Sequence, residues 1–492
     1  MRLLEIHRTP VLVLLFSIIG CSEEPHITTQ SPEALGSYNI GVAQWEKFYY
    51  SEAAQAFDEA IRLDSNFAMA WARRAFLDDA AQNRRRSVVD IARAMSLLQR
   101  VTRYEQMFVR LQNCRLNYAN KQAADIADSM LRLYPGEKEI LLIRGNLYEA
   151  DKNFEDGIRS YKRAIEVDTN YALAVMSLGY AYSSIGEQEK AVTQMERYIR
   201  LAPDAADPRA SFADILLRVG RYDEALEQYQ KSLALKPDYW YSANQIGAIY
   251  MLQGKLKAAE DQFHRGISAL PKSNQLDATH LALDGNLNIL RGLYKEAIQQ
   301  YRKALELDSS NGEAGFGLVA AFRKLKEFKR AHEVLTEIRN ELERRNLLQS
   351  PFMLRYNLVY SRLLLDEGET ESARAFCDSA LEFSTTLLRS PVFQQIAEIH
   401  LSLKHYEEAF DACEEALRVN PNVPDALFTL VKIYRSKGDA AMTAEVGSRL
   451  LAFWKDADPD YLNLHELHQL LDVKHAPSPA GSSPVMTAMN AE

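Results

Sequence analysis

The chain has 492 residues, of which 25% are charged and 47% are hydrophobic. These fractions are those of an ordinary folded protein, so they exclude a fully disordered chain and one embedded throughout in a membrane. The net charge is −9 at pH 7, and a negative chain is repelled by phosphate backbones, which argues against nucleic acid as a partner.

The first twenty residues have the pattern of a secretory leader. Arg2 and Arg8 precede nine apolar or small residues at 11–19, and this run is too short to cross a bilayer, which needs about 20 apolar residues. A basic start followed by a short apolar run predicts a cleaved signal peptide over residues 1–20. Cleavage would leave Cys21 as the first residue of the mature chain.

The sequence Ile18-Ile19-Gly20-Cys21 resembles the bacterial lipobox. The resemblance implies that Cys21 carries a diacylglycerol and an amide-linked acyl chain such as palmitate, which together give a stable membrane anchor. Ser22 follows the cysteine, where Asp would retain the protein at the inner membrane, so the resemblance implies the periplasmic face of the outer membrane. The alternative is an uncleaved leader that holds the chain at the inner membrane, facing the cytoplasm.

Both ends of the mature chain lack an apolar period. Residues 21–33 are polar and contain two prolines, which predicts a tether. Three prolines and several small residues at 474–492 predict a disordered tail, because so little apolar surface cannot offset the entropy of ordering. Residues 458–473 begin with Asp-Pro, a helix start, and predict a capping helix.

A period of 34 residues fills the chain between these ends. Each copy has an aromatic residue, a small residue three later, a bulky residue four later, a small residue three after that, and a Pro or polar stop. A fixed period of this length predicts a stack of similar supersecondary units. The period is clearest in residues 152–169, 220–237, 292–309 and 404–421.

These copies resemble the tetratricopeptide repeat (TPR), in which two antiparallel helices cross at small residues. Five copies run without a gap from residue 104 to 273, and nine of the ten residues at their eighth and twentieth positions are Gly or Ala. A side chain larger than Ala at the crossing would push the helix axes apart. Pro is common at the thirty-second position, where it ends the second helix because it lacks an amide donor.

The same register gives the rest of the array. The resemblance implies an all-α, right-handed superhelical solenoid of about twelve helix-turn-helix repeats over residues 34–457. The register shifts at 274–277 and 346–353, where we expect longer loops, and the arginines at 84–86 are expected in a loop. The further copies are 34–67, a degenerate pair at 68–103, 278–311, 312–345, 354–387, 390–423 and 424–457.

The motifs of the commonest catalytic sites are missing from the sequence. It has no GxxxxGK[ST] loop, no GxSxG elbow and no HExxH helix, so we predict a protein that is not an enzyme and uses no cofactor. His465 and His468 can share a helix face, but only His475 is nearby, so no metal site is predicted. Cys377 and Cys413 occupy the same position of neighbouring repeats, too far apart for an easy disulfide, and are expected to be buried.

The resemblance also implies a binding surface, the concave face lined by the first helix of each pair. Its amide, aromatic and charged side chains suit an extended peptide, since amides pair with a peptide backbone and aromatic rings cover its side chains. Leu142 stands where relatives that hold a terminal carboxylate have Lys, so a carboxylate clamp is not expected. The candidate groove residues are Asn146, Tyr180, Asp214, Arg218, Tyr241, Asn244, Asn286 and Arg323.

Together with the lipobox, this groove predicts a lipid-anchored envelope scaffold that binds partner proteins or extended peptides. Similar lipoproteins act in secretion, pilus assembly, exopolysaccharide export and the control of wall hydrolases, and the sequence does not choose among these pathways. The alternative is an inner-membrane adaptor that faces the cytoplasm and acts in regulation or assembly. The sequence leaves the oligomeric state open.

Overall fold

The computed structural model describes residues 27–80, 84–268, 270, 272–344, 347, 352–383, 389–418 and 420–471. The predicted signal peptide, the predicted lipidation site at Cys21, the start of the tether and the predicted disordered tail lie outside the described residues. The chain divides into two compact units, residues 1–150 with 166–168, and residues 151–165 with 169–492.

All regular structure in the described ranges is helical. These ranges contain 25 α-helices, one 3₁₀ helix at Leu98–Arg100 and no strand. The α-helices are α1 (Pro32–Trp45), α2 (Tyr50–Leu63), α3 (Ala68–Ala80), α4 (Arg84–Ser96), α5 (Arg103–Leu116), α6 (Asn120–Leu133), α7 (Lys138–Ala150), α8 (Phe154–Val167), α9 (Ala172–Ser184), α10 (Gln188–Leu201), α11 (Asp207–Arg218), α12 (Tyr222–Leu235), α13 (Trp240–Leu252), α14 (Leu256–Ser268), α15 (Asn274–Leu290), α16 (Tyr294–Leu307), α17 (Gly312–Lys324), α18 (Phe328–Arg344), α19 (Phe352–Glu367), α20 (Thr370–Phe383), α21 (Arg389–Ser402), α22 (Tyr406–Leu417), α23 (Pro424–Lys437), α24 (Ala440–Phe453) and α25 (Leu462–Leu471).

The helices follow one another in pairs. From α1 to α24 they form twelve pairs, and α25 comes after the last pair and packs on α23 and α24. Where both helices of a pair lie in one unit, they pack on each other, and such pairs pack on their neighbours within that unit in sequence order. The all-α solenoid of about twelve pairs is therefore confirmed, while its right-handed sense stays a prediction.

The turn between the helices of a pair repeats one backbone feature. Eleven residues of the described chain have a positive φ, and each is the fifteenth residue of a repeat counted from the predicted starts. Six are glycines, which adopt this conformation without strain, as Gly254 does at φ 71°. Five carry a side chain there at a cost of roughly 1–2 kcal/mol each. They are Phe48, Tyr118, Lys152, Lys326 and Lys404.

The small residues of the repeat let bulky rings of the second helix approach the first. A methyl group added at Gly247 on α13 would lie 2.5 Å from the Phe263 ring on α14. The same substitution at Gly285 on α15 would lie 2.5 Å from the Tyr301 ring on α16. Both rings are buried, at 2% and 0% exposure, so they cannot swing away. Close packing therefore requires glycine at the eighth position of these two repeats.

The first unit is centred on a buried arginine. Arg73 on α3 is 8% exposed and donates to both carboxylate oxygens of Glu139, at 2.8 and 2.7 Å. Its Nε also donates to the Tyr38 hydroxyl at 3.0 Å. The bidentate pair satisfies a charge that would be costly to bury alone, and it joins α3 to α7 across the intervening pair of helices.

Two local expectations are wrong. Residues 274–277 lengthen a helix and not a loop, because the Ser273 hydroxyl caps α15 by accepting a hydrogen bond from the Leu276 amide at 3.2 Å. The arginines at 84–86 begin α4 and do not lie in a loop. Arg86 pairs with the Asp58 carboxylate at 2.7 Å, which favours this helical start. Residues 346–353 are described only in part.

In the second unit, the C-terminal helices contact the turns of repeats about 200 residues earlier in the chain. We call this the C-terminal contact. The Trp454 indole, 1% exposed, donates to the Leu252 carbonyl at 3.0 Å. The Asp458 amide donates to the Gly254 carbonyl at 2.9 Å, and the Asp458 carboxylate accepts from the Lys257 amide at 2.8 Å. In a linear solenoid each repeat touches only its neighbours, so the repeat pattern does not predict this contact.

The C-terminal contact extends to the turns on either side. The Asn422 side chain donates to the Gly220 carbonyl at 3.3 Å, and Arg291 pairs with the Asp460 carboxylate at 3.4 Å. A cleft of about 320 Å³ lies beside it, lined by Tyr222 and Phe453 among others. Apolar side chains of α14, α15 and the C-terminal helices form one continuous buried cluster.

Candidate functional site

Three of the candidate groove residues come together around the carboxylate of a fourth, Asp214, in the second unit. Tyr180 lies on α9, Asp214 and Arg218 lie on α11, and Tyr241 lies on α13. These are the first helices of three consecutive repeats, so the 34-residue period brings the side chains to one surface. With Tyr229 of α12, which was not among the candidates, they form what we call the Asp214 cluster.

Three tyrosine hydroxyls converge on Asp214. The Tyr180 hydroxyl donates to Oδ2 at 2.7 Å, and the Tyr241 hydroxyl lies 2.9 and 3.0 Å from the two carboxylate oxygens. The Tyr229 hydroxyl also donates to Oδ1. Burial raises the pKa of Asp214, and the three donated hydrogen bonds act in the opposite direction. The carboxylate is thus held by three hydroxyls, one from the fully buried Tyr229 and two from the half-buried Tyr180 and Tyr241.

The outer part of the Asp214 cluster remains partly accessible. Tyr180, Arg218 and Tyr241 are each half-buried. The Arg218 guanidinium lies over the Tyr180 ring, 5.1 Å from its centroid, and its positive charge lowers the pKa of Asp214. The Gln245 amide donates to the Tyr241 hydroxyl at 3.0 Å. This surface offers a partner one guanidinium, two aromatic rings and one side-chain amide.

A second aspartate lies deeper, and sequence reasoning missed it. Asp207 at the start of α11 accepts hydrogen bonds from the Tyr198 and Tyr239 hydroxyls at 2.9 and 2.8 Å and from the Ser211 hydroxyl at 3.2 Å. Burial raises the pKa of Asp207 to about 6 despite these bonds. The recurring tyrosines on both sides of an Asp-Pro helix start were the available signal.

The other candidates do not join this cluster. Asn286 on α15 donates to Glu313 at 2.8 Å and accepts from the Tyr301 hydroxyl at 2.7 Å. Arg323 on α17 donates to Asp366 at 2.7 Å, and burial lowers the pKa of Arg323. Asn244 is half-buried on α13, and Asn146 is exposed on α7 of the first unit. The eight residues therefore do not form one continuous site, and four of them form the candidate site.

The structure places some histidines and cysteines as the sequence predicted and also brings together others that it did not predict. His465 lies with Nε2 2.6 Å from the Pro459 carbonyl, and His475 lies outside the described residues. Cys377 and Cys413 are free and fully buried, as expected, and burial raises their pKa values to about 11 and about 12. Sequence reasoning missed a group of two histidines and an aspartate on α14 and α15, His264, His280 and Asp284.

Comparison with protein-family models decides the nature of the repeats. The model described as "TPR repeat" matches residues 213–254, and two described as "Tetratricopeptide repeat" match residues 142–206 and residues 36–67, 285–311 and 390–423. The chain contains tetratricopeptide repeats. TPRs are typically non-catalytic and support a scaffold for protein–protein interaction, so the partners they suggest are proteins.

Several solved structures are similar to parts of this chain. MamA is 26% identical, with 32% of this chain and 93% of MamA covered at a TM-score of 0.28. Yeast Tom70 is 13% identical over 89% of this chain and 95% of Tom70 at 0.36, and a tetratricopeptide repeat protein from Parabacteroides merdae is 16% identical over 53% and 98% at 0.37. A search of the curated proteins gives no match. All three TM-scores are below 0.5, so the fold rests on the chain's own helices and TPRs.

The membrane predictions concern residues that the structure does not describe. Cys21 and the leader before it lie outside the described ranges. Among the helices that are described, none combines the length and the apolar composition needed to cross a bilayer.

Proposed function

We propose that this chain is a non-enzymatic scaffold that binds partner proteins or extended peptides on the first helices of its TPRs and is held at a membrane through a lipid on Cys21. The observation that carries the binding part is the Asp214 cluster, in which three consecutive first helices present aromatic, cationic and amide groups on one surface. The anchoring part rests on the lipobox-like residues 18–21.

The chemistry of the Asp214 cluster fits a peptide better than a small metabolite. Ring faces at Tyr180 and Tyr241 cover apolar side chains, and Arg218 pairs with a carboxylate of the partner. Outside the cluster but one turn after Tyr241 on the same helix, Asn244 is half-buried, so its amide can both donate to and accept from a peptide backbone beside the cluster. Asp214 itself is engaged by three tyrosines, so it orders the surface and does not meet the ligand.

A membrane anchor would determine where such a scaffold binds its partners. Acyl chains on Cys21 would confine the TPRs to a surface and raise the effective concentration of whatever they hold. Ser22 after the cysteine supports the periplasmic face of the outer membrane as the location. The scaffold would then assemble an envelope machine, of the kind used in secretion, pilus formation, exopolysaccharide export or wall-hydrolase control.

Site-specific crosslinking tests the binding surface. A photoreactive amino acid at position 244 is expected to capture a partner in intact cells. The matched control is the same group at the exposed Gln230 on α12, the second helix of a repeat, where less capture is expected. Arg218→Glu in the position-244 variant is expected to abolish the crosslink with the fold retained. Asp214 is left intact because its replacement would also leave three tyrosine hydroxyls without their acceptor. Equal capture from positions 244 and 230 would refute the surface.

The anchor needs a separate measurement. The N-terminal peptide of membrane-extracted protein is expected to begin at Cys21 and to carry the mass of three acyl chains, and the Cys21→Ala variant is expected to lose them. A peptide that begins at Met1 without lipid would overturn the anchor and leave the inner-membrane adaptor, facing the cytoplasm, as the better proposal. The crosslinking result stands or falls independently of this one.

A further inference from the structure

Two histidines and an aspartate meet between α14 and α15 in the second unit. His264 lies on α14, and His280 and Asp284 lie one turn apart on α15. Each offers a nitrogen or oxygen atom, and these atoms all lie within 4.8 Å of one another. Residues four apart on a helix face the same side, so α15 presents both of its ligand groups to His264.

The distances fit a metal ion at the centre of the three groups. Zinc binds His nitrogen at about 2.0–2.1 Å in tetrahedral geometry, which places two ligand atoms about 3.3 Å apart. His264 Nε2 lies 3.5 Å from Asp284 Oδ1, close to that separation. The His264 and His280 rings meet edge to face at 69° with centroids 4.1 Å apart, so small side-chain rotations bring both nitrogens to one point.

His280 supplies an independent observation. Its Nε2 is buried and has no hydrogen-bond partner among the described residues. A buried polar nitrogen without a partner carries a desolvation cost, which a bound cation would remove.

We propose that His264, His280 and Asp284 bind a divalent transition-metal ion, Zn²⁺ by its ligand preference, and that the ion fastens α14 to α15. Three protein ligands leave a fourth position for water, on the side where His264 is exposed. Glu260, one turn before His264, is engaged with Arg291 at 3.0 Å and borders the site with negative charge. This site is independent of the proposed partner-binding function.

The position of the metal site gives the ion a structural role. It joins α14 to α15 at the boundary between two consecutive repeats, where α15 gains an extra turn at residues 274–277 and the register of the solenoid shifts. Two helices held by a common ion cannot slide past each other, so the ion would fix the geometry of this irregular junction.

Metal titration of the full-length chain in detergent, purified without a polyhistidine tag and stripped with a chelator, tests the proposal. We expect one Zn²⁺ per chain by calorimetry and elemental analysis. His280→Ala is expected to weaken binding at least about 10-fold, since even residues behind the ligands matter by that factor. His332→Ala is the matched control, because His332 also faces a carboxylate across helices, Glu367 at 3.0 Å, but has no second histidine.

A second variant and a local measurement distinguish loss of the metal site from misfolding of a variant. Asp284→Asn keeps the shape of the side chain, and it is also expected to weaken Zn²⁺ binding at least about 10-fold. Zn²⁺ is expected to slow amide hydrogen exchange in α14 and α15 of the unmodified chain and of His332→Ala, and to leave exchange in His280→Ala unchanged. Substoichiometric binding, or equal binding by all the variants, would overturn the proposal.

Discussion

Gly254 provides the sharpest test of the C-terminal contact. It has a φ of 71° in the turn between α13 and α14, and an added methyl group would lie 2.5 Å from a Tyr461 ring carbon and 2.8 Å from Ala457 Cβ. Tyr461 is only 3% exposed and cannot move aside. Gly186 occupies the same repeat position with a φ of 86°, and a methyl group there meets nothing within 4 Å. Gly254→Ala and Gly186→Ala therefore form a matched pair.

The two variants share one cost and differ in another. Alanine in the left-handed region costs roughly 1–2 kcal/mol, and the change in unfolded-chain entropy is the same for both, so these effects cancel in the comparison. Only Gly254→Ala overpacks a buried surface, which typically costs about 1–3 kcal/mol. Separation of the surfaces also weakens the bond from the Asp458 amide to the Gly254 carbonyl, now 2.9 Å.

Hydrogen exchange followed by mass spectrometry measures this difference locally. A cost of about 1–3 kcal/mol corresponds to exchange about 5- to 150-fold faster in residues 456–462 of Gly254→Ala. Gly186→Ala should leave exchange in that segment as it is in the unmodified chain. Identical exchange of 456–462 in both variants would show that the contact is absent in solution, and the reasoning would fail.

Three further outcomes follow from the structure. The folded pKa of Asp207 is about 6, above its unfolded value of 3.8, so the fold disfavours the ionised carboxylate. The free energy of unfolding should therefore fall by about 3 kcal/mol as the pH rises from about 4 to above 6. Asp207→Asn should lack this part of the pH profile in urea titrations, and parallel profiles would contradict it. Lys404→Gly should raise the midpoint of thermal unfolding, because it relieves roughly 1–2 kcal/mol of strain at φ 63° and adds only about 0.4–1 kcal/mol of unfolded-chain entropy. A lower midpoint would contradict that. In native protein a maleimide should label the half-buried Cys114, and it should reach the buried Cys377 and Cys413 only after unfolding. Prompt labelling of Cys377 or Cys413 would show that the helix carrying that cysteine opens readily.

Much of the fold was predictable because the helices of each pair depend on residues close in sequence. Small residues at the eighth position, such as Gly247 and Gly285, mark where a ring of the second helix must fit. The loop expected at 274–277 was wrong because one capping hydroxyl, that of Ser273, decided between two local structures that the period treats alike.

The candidate site was predictable in part. The period placed Tyr180 and Asp214 at the same repeat position and so on one surface, but it did not show that Tyr229, from a second helix, would reach the same carboxylate. The bonds of Asn286 and Arg323 to acidic side chains also depend on rotamers that a pattern of residue types does not contain.

The 34-residue period could not predict the C-terminal contact, because the residues that form it are about 200 residues apart. Trp454 and Leu252 belong to different repeats, and nothing in either repeat singles them out as neighbours. Such contacts depend on the sum of small rotations between successive pairs, which no single repeat specifies.

The C-terminal contact also constrains how this array can change over evolutionary time. Open arrays gain and lose whole repeats readily, since removal of one leaves every remaining interface intact. In the second unit, Asp458 meets Gly254 only when the number of helix pairs between them is correct. Duplication or loss of a pair between residues 292 and 420 would part these surfaces, so the length of this stretch is fixed by its closure.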